Sequence, residues 1–177
     1  NYTLRDLTDI YLEQQPWGDL GIDLCLGMPM DILATPYMYM FLPDYIESGF
    51  NNAYFTRGDE KVQLVKNTII TYEERPSQSE SSLFTPLNVF WSSFLIVAIL
   101  SFFQLKNKGS FIKLDATLFT LFGLLGTLLF ILWTATDHNA AANNLNTLWA
   151  LPTHFVAGIL LFKKKPSSWL KTYFLST

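Results

Sequence analysis

The sequence predicts a mainly α-helical membrane protein in which three transmembrane helices follow a partial α+β extracytoplasmic segment. Hydrophobic residues make up 50% of the 177 residues and charged residues only 15%, whereas charged residues make up about 25% of an average soluble domain. The shortage of charge lies in the second half of the chain, where three uncharged stretches are each long enough to cross a bilayer. Burying all three as core helices would need a larger soluble protein around them.

The first 76 residues are predicted to be the extracytoplasmic α+β segment, the end of a larger domain. Three apolar residues share one face of a predicted first helix: Leu4, Leu7 and Tyr11. Pro16-Trp17-Gly18 is expected to end that helix, and a loop rich in glycine and proline is expected from 18 to 29.

A second helix is predicted to start at Thr35-Pro36, because threonine caps helices and proline fits their first position. Pro43 is expected to break or restart it. Gly58-Asp59 is a turn signal, and the β-branched residues over 62–72 favour a strand, one arm of a hairpin.

A linker rich in Ser and Glu is predicted over 77–86, before a transmembrane region at 87–162. Its three windows are 87–105, 116–136 and 145–162. A basic cytoplasmic tail is predicted over 163–177.

The lysines near the helix ends predict the orientation. They cluster in the first connection and after the third window, at Lys106, Lys108, Lys113, Lys163, Lys164, Lys165 and Lys171. The second connection, from 137 to 144, contains neither Lys nor Arg. Since cytoplasmic loops carry the excess of positive charge, residues 1–86 are predicted to be periplasmic and the C-terminus cytoplasmic, in a bacterial inner membrane.

Charge and cysteine content narrow the function. The net charge of −3 without a basic cluster argues against nucleic acid as a partner. Cys25 is the sole cysteine, so the chain offers no internal disulfide and no cysteine-based metal cluster. A metal held by His138 and His154 would need a further ligand, so no metal and no cofactor is expected.

Two groups of motifs resemble a known family. The first is Met28-Pro29-Met30-Asp31, Ala34-Thr35-Pro36 and Met40-Phe41-Leu42-Pro43-Asp44-Tyr45. The second is Thr136-Asp137-His138, Asn143-Asn144-Leu145-Asn146, Leu148-Trp149 and Pro152. Together they resemble a family of Bacteroidetes inner-membrane proteins, formerly a domain of unknown function, that includes the lipoprotein N-acyltransferase of Bacteroides.

The resemblance implies a circularly permuted papain-like fold, with a histidine early in the chain and a cysteine that opens a helix in a motif similar to Asn-Cys-Thr, followed by Arg and Asp. A thiolate at a helix N-terminus, close to a histidine, attacks an acyl ester and forms a thioester. The acyl group would pass from a phospholipid to the N-terminal amine of a lipoprotein.

This chain departs from that motif, because it reads Asn1-Tyr2-Thr3-Leu4-Arg5-Asp6. Tyr2 stands where the catalytic cysteine is expected, and a phenol, which titrates near pH 10, is a poor substitute for a thiolate. Two explanations stay open: a truncated or catalytically dead homologue, or an alteration of the first residues. Cys25, flanked by leucines, is more typical of an inert packed thiol.

A polar belt follows the second window and consists of Asp137, His138, Asn143, Asn144 and Asn146. One interpretation is that these residues satisfy helix-end backbone groups and headgroups. The other gives Asp137 and His138 a catalytic role, with the three asparagines and Trp149 positioning a phospholipid headgroup or an acceptor amine.

Other polar residues have simpler interpretations. His154, inside the third window, is either functional or a neutral histidine bonded to a neighbouring helix, and the second interpretation is favoured. Asp31, Asp44 and Glu47 are predicted to cap helices. The Met and aromatic run over 37–41 is either core or a patch that rests on the membrane.

The sequence leaves two functions open. The first is a membrane-bound acyltransferase whose partners are phospholipid and lipoproteins. The second is a non-catalytic accessory subunit of a larger inner-membrane complex, whose partners are other membrane subunits. Tyr2 favours the accessory subunit, and the polar belt favours the enzyme.

Overall fold

A computed structural model describes residues 2–72, 82–107, 111–163 and 168–176. Lys108, Lys164 and Lys165 lie outside these residues, and so does half of the predicted linker, 77–81. The chain divides into two compact units. Unit 1 consists of Asn1–Gln14 and Asp31–Ser82, and unit 2 consists of Gln15–Met30 and Leu83–Thr177.

Unit 1 begins with helix α1, Leu4–Leu12, as the apolar spacing predicts. Leu7 is fully buried and anchors the apolar face of this helix. Thr3 and Leu33 form an isolated antiparallel bridge, which ties the start of α1 to the chain that follows residue 31.

The predicted second helix of unit 1 starts later than expected. Thr35 and Pro36 precede a turn, a 3-10 helix covers Met38–Phe41, and α3 covers Pro43–Asn51. Pro43 therefore restarts the chain as a helix, because proline suits the first helical turn, where the backbone N–H has no partner in any case.

A short hairpin follows α3. Strand β1, Tyr54–Arg57, pairs antiparallel with β2, Glu60–Gln63, across the predicted Gly58-Asp59 turn. Gly58 has a φ of +64°, which glycine adopts without a steric penalty. The strand predicted over 62–72 is wrong in its position, since residues 64–72 have no regular structure and the pairing partners lie upstream.

Unit 2 begins with helix α2, Pro16–Cys25, where a loop was predicted. Pro16 occupies the first helical turn and therefore starts α2 instead of only ending α1. The two glycines inside the helix lower its propensity but do not prevent it, because α2 packs against the long helix Pro86–Asn107 of the same unit.

Two long apolar helices confirm the first two windows. They are α4, Pro86–Asn107, and α5, Ile112–Thr134. Among the described residues, these are the helices long and apolar enough to cross a membrane. The 23 residues of α5 give a length of about 34 Å, which exceeds the roughly 30 Å of a bilayer's hydrocarbon core.

The third window does not form one continuous spanning helix. A 3-10 helix covers Leu145–Leu148, and α6 covers only Thr153–Leu161, about 13 Å. Pro152 lies between them at the N-terminal cap of α6. Only half of the window is therefore α-helical.

Helices α5 and α6 pack through glycines. A Cβ atom at Gly126 would overlap the carbonyl of Ala150, and one at Gly123 would overlap the backbone of Phe155. Since these pairs run in opposite directions along the two helices, α6 is antiparallel to α5 and lies beside the half of α5 that begins at Ile112. Such close backbone contact is typical of membrane helix pairs.

A last helix, α7, covers Trp169–Ser176 within the predicted tail. Phe174 stacks on Phe119 of α5 with 4.7 Å between ring centroids. Leu170 is 3% exposed, so α7 is packed into unit 2 through one face.

Candidate functional site

The position of the expected nucleophile lies at the start of α1. Tyr2 directly precedes Thr3, the N-cap residue of this helix. Its N–H donates to Tyr39 Oη at 3.3 Å, and its carbonyl accepts from the Ala34 N–H at 2.9 Å. The Tyr2 side chain is 48% exposed. The backbone at this position is therefore held from both sides, while its side chain projects from the surface of unit 1.

The motif residues after Tyr2 build the helix start. The Thr3 hydroxyl accepts from the Asp6 N–H at 3.1 Å, and Asp6 Oδ2 accepts from the Thr3 N–H at 2.7 Å. This reciprocal capping box satisfies two donors that a helix N-terminus leaves free. The hydrogen bond that the Thr3 N–H donates to the carboxylate, followed by the interaction of the Thr3 hydroxyl with the same carboxylate, lowers the pKa of Asp6.

The carboxylates of unit 1 make structural contacts. Arg5 Nε donates to Asp31 Oδ1 at 2.7 Å. The Tyr11 hydroxyl donates to Asp44 Oδ2 at 2.6 Å, and this hydrogen bond raises the pKa of Tyr11 to about 12. Asp44 also lies in the first turn of α3, where its charge suits the helix dipole.

In unit 2, two asparagines of the polar belt hold the end of α2. Asn144 is 1% exposed, and its Nδ2 donates to the Leu24 carbonyl at 2.8 Å. Asn146 Nδ2 donates to the same carbonyl at 3.2 Å. The Oδ1 atom of Asn144 accepts from the Asn146 N–H at 2.9 Å, which fixes the two side chains relative to each other.

The contact between α2 and this loop continues at Gly27. Its N–H donates to the Ala140 carbonyl at 2.7 Å. A Cβ atom at Gly27 would overlap the carbonyl oxygen of Ala142, so glycine is required for this approach.

Trp149 extends the same network toward the middle of α5. Its Nε1 donates to Asn146 Oδ1 at 3.0 Å, and its ring lies edge-on to Phe122 at 5.8 Å between centroids. Trp149 therefore lies against the central part of α5, although the sequence places it at the end of a spanning helix.

The other belt residues do not join this network. His138 Nδ1 lies 2.9 Å from Thr136 Oγ1, and both Asp137 and His138 are exposed. Among the described residues, no hydrogen bond joins these two side chains. Asn143 is also exposed and has a φ of +52°, a left-handed conformation in which asparagine is several-fold enriched.

The structure thus brings together three of the predicted site residues, Asn144, Asn146 and Trp149. Their polar groups are used to fix α2, as in the structural interpretation of the belt. Sequence reasoning missed the Leu24 carbonyl and Gly27, because a backbone acceptor leaves no sequence signal and an isolated glycine next to proline and methionine resembles an ordinary loop.

A second polar cluster joins α6 to α7. His154 Nδ1 lies 2.6 Å from Tyr173 Oη, and Thr153 Oγ1 lies 2.8 Å from the same oxygen. His154 is 9% exposed and lies edge-on to Phe119. This arrangement agrees with the interpretation of His154 as a histidine bonded to a neighbouring helix.

A cavity of about 830 Å³ opens beside this cluster. It is lined by Ile112, Asp115, Phe119, Leu148, Trp149, Leu151, His154, Leu161 and Phe174. The 3-10 segment and α5, α6 and α7 all contribute to its wall. The break in the third window therefore leaves open space along α5.

Comparison with known families decides what kind of protein this is. The Lnb transmembrane domain matches residues 78–177, more than half of the chain. The chain belongs to the Lnb transmembrane domain family. The Lnb match contains helices α4 to α7, the polar belt and the cavity, whereas α2 packs against the Lnb region without being part of the match. A membrane protein with transmembrane helices is thereby established.

No curated protein and no solved structure matches the chain. The family assignment therefore rests on the Lnb match, which covers the membrane region.

Proposed function

We propose that this chain belongs to a membrane-bound acyltransferase that moves a fatty acyl group from a phospholipid to the N-terminal amine of a lipoprotein. The observation that carries the proposal is the Lnb match over the region that contains the second group of motifs. The part of the first group from Asp31 onward lies in unit 1, where Thr3, Arg5 and Asp6 hold the start of α1.

The geometry at residue 2 supports this assignment. A nucleophile at this position precedes the N-cap of α1, where the helix dipole stabilises a negative charge. The Arg5–Asp31 ion pair and the capping box fix the backbone on which it is carried. The side chain at residue 2 is half exposed and thus accessible to a substrate.

With a cysteine at this position, acyl transfer proceeds in two steps. The thiolate attacks the ester carbonyl of the phospholipid, the C–O bond breaks, and the lysophospholipid leaves after its alkoxide takes up a proton. The lipoprotein amine then attacks the thioester, loses a proton and releases the thiolate.

A second function is favoured by Tyr2 itself. A phenol at this position supplies neither the thiolate nor the thioester that the reaction needs. A non-catalytic accessory subunit of a larger inner-membrane complex needs neither group. In that case the membrane unit acts as a packing partner for other subunits.

The deciding experiment reconstitutes the full-length native protein in liposomes that contain phospholipid with a labelled acyl chain, together with a diacylated lipopeptide acceptor. The wild type, Tyr2→Cys and Tyr2→Phe are compared by mass spectrometry of the acceptor. An N-acylated lipopeptide from the wild type supports the acyltransferase. Product from Tyr2→Cys alone supports a non-catalytic descendant of that enzyme, and hence the accessory subunit. No product from any variant contradicts the acyltransferase.

Bacterial inner-membrane location, with residues 1–86 in the periplasm and the C-terminus in the cytoplasm, belongs to the same proposal. The lysine distribution supports this orientation. A membrane-impermeant thiol reagent, added to cells whose outer membrane is permeabilised, tests it on Asp59→Cys and Lys163→Cys in a Cys25→Ser background. Labelling of Asp59→Cys alone is expected. Labelling of Lys163→Cys alone would contradict the orientation.

A further inference from the structure

The cavity beside α5 has the size and the lining of a ligand site. Its volume of about 830 Å³ lies within the range of roughly 300–1,000 Å³ that is common for small-molecule sites. Most of its wall is apolar, and among the described residues Asp115 and His154 are the two ionisable side chains in that wall.

His154 and Asp115 differ in their depth in the membrane and in their hydrogen bonding. His154 lies beside the backbone contact of Gly123, in the middle of α5, and is bonded to Tyr173. Asp115 lies in the first turn of α5. Within the ranges that the structure describes, no cation pairs with Asp115. The Asp115 carboxylate is therefore at the end of the cavity that is closest to a membrane surface.

The depth of the cavity fits a lipid. Asp115 and Gly123 are eight residues apart on α5, about 12 Å along the helix axis. The cavity thus runs from near one membrane surface to the middle of the bilayer. A membrane lipid has the same arrangement, because its headgroup lies at the membrane surface and its hydrocarbon chain extends toward the middle of the bilayer.

Charge selects the headgroup. A carboxylate attracts a cation and forms its strongest hydrogen bonds with charged N–H donors, such as a primary ammonium. The Asp115 carboxylate in the cavity wall therefore complements a headgroup that ends in an ammonium.

We infer that the cavity binds one membrane lipid of the phosphatidylethanolamine type, with its ammonium at Asp115 and one acyl chain between α5, α6 and α7. The site lies at the beginning of α5, and the polar belt follows the other end of that helix. With its ammonium at Asp115, the lipid has its headgroup at the opposite end of α5 from Asp137 and His138, so we treat it as a resident component and not as the acyl donor of the proposed reaction.

The test is native mass spectrometry of the full-length protein released from mixed micelles that contain equal amounts of dioleoyl phosphatidylethanolamine, phosphatidylcholine and phosphatidylglycerol. We expect one retained lipid per chain, with phosphatidylethanolamine favoured about fivefold, as one partly exposed charge pair provides. Asp115→Asn should abolish this preference. Asp137→Asn, a matched change after the other end of α5, should keep it.

A second pair of variants tests the cavity itself. Leu151→Trp fills part of it and should remove the retained lipid, whereas Leu95→Trp, on an exposed part of α4, should not. Circular dichroism checks that both variants keep their helices. Equal retention of the three lipids by the wild type, an unchanged preference in Asp115→Asn, or a retained lipid in folded Leu151→Trp would overturn the inference. Because lipid retention requires no turnover, none of these results bears on the proposed acyl transfer.

Discussion

The side-chain amide of Asn144 donates a hydrogen bond of 2.8 Å to the main-chain carbonyl of Leu24. Leu24 lies in the last turn of α2, where carbonyl groups have no partner within the helix. Asn146 donates to the same carbonyl. The loop after α5 therefore caps a helix that lies 120 residues earlier in the chain, and α2 becomes part of the membrane unit.

Removal of this cap should destabilise unit 2. Asn144→Ala leaves the Leu24 carbonyl with only the longer bond from Asn146, and we expect a loss of about 1–3 kcal/mol in the free energy of unfolding. Asn143→Gly is the matched control, because the φ of +52° at Asn143 suits glycine. Denaturant unfolding in detergent measures both variants. Equal effects of the two substitutions would show that the buried amide has no special role.

The close approach at Gly27 gives a second prediction. Gly27→Ala places a Cβ atom against the Ala142 carbonyl, and relief of this overlap should cost about 1–3 kcal/mol. Gly21→Ala, in the same helix region with open space around it, should instead stabilise α2 by about 0.5–1 kcal/mol. Thermal melts followed by circular dichroism should move in opposite directions. A Gly27→Ala protein as stable as the wild type would contradict the contact between α2 and the loop.

The capping box at the start of α1 predicts a dependence on pH. Since the folded-state pKa of Asp6 is lowered, its contribution to stability is present above the ordinary carboxyl pKa and is lost as the pH falls below about 4. Asp6→Asn should flatten this loss between about pH 4 and pH 2. Urea unfolding of the full chain at several pH values measures it, and Glu13→Gln, at the other end of α1, is the control. An unchanged acid profile in Asp6→Asn would exclude the capping box as its cause.

The hydrogen bond between Tyr11 and Asp44 predicts a late tyrosine titration. The pKa of Tyr11 is raised to about 12, so the stabilisation from its protonated hydroxyl is complete below pH 10 and is lost as the pH rises toward 12. Ultraviolet difference absorbance of the wild type against Tyr11→Phe reports this group alone. In Asp44→Asn the same difference should appear at a lower pH. A Tyr11 signal centred near pH 10 in the wild type would contradict the bond.

Local sequence patterns predicted part of this fold and missed the rest for physical reasons. Helices α1, α4 and α5 follow from apolar spacing and from uncharged length, which are properties of the segment itself. The break at Pro152 and the short α6 depend on backbone contacts with Gly123 and Gly126, which a hydropathy window does not contain. Helix α2 was missed because Pro16 was interpreted as an end, although proline is equally suited to a beginning.

The candidate site was also predicted only in part. The motifs selected Asn144, Asn146 and Trp149, which the structure joins in one network. They did not reveal its function in holding Leu24, since the acceptor is a main-chain carbonyl without a residue preference. Asp137 and His138 are predicted as site residues because they follow the second window; in the structure His138 Nδ1 lies 2.9 Å from Thr136 Oγ1, and a catalytic role for the pair stays a prediction.

We propose that residue 2 is the nucleophile position of an acyltransferase. The most direct measurement is peptide mass spectrometry of the full-length Tyr2→Cys protein after incubation with a labelled phospholipid and without an acceptor amine. We expect an acyl group on the introduced thiol at residue 2, removable by hydroxylamine, and none on Cys25. A folded variant without an acyl group at residue 2, or with the label at Cys25, would contradict it.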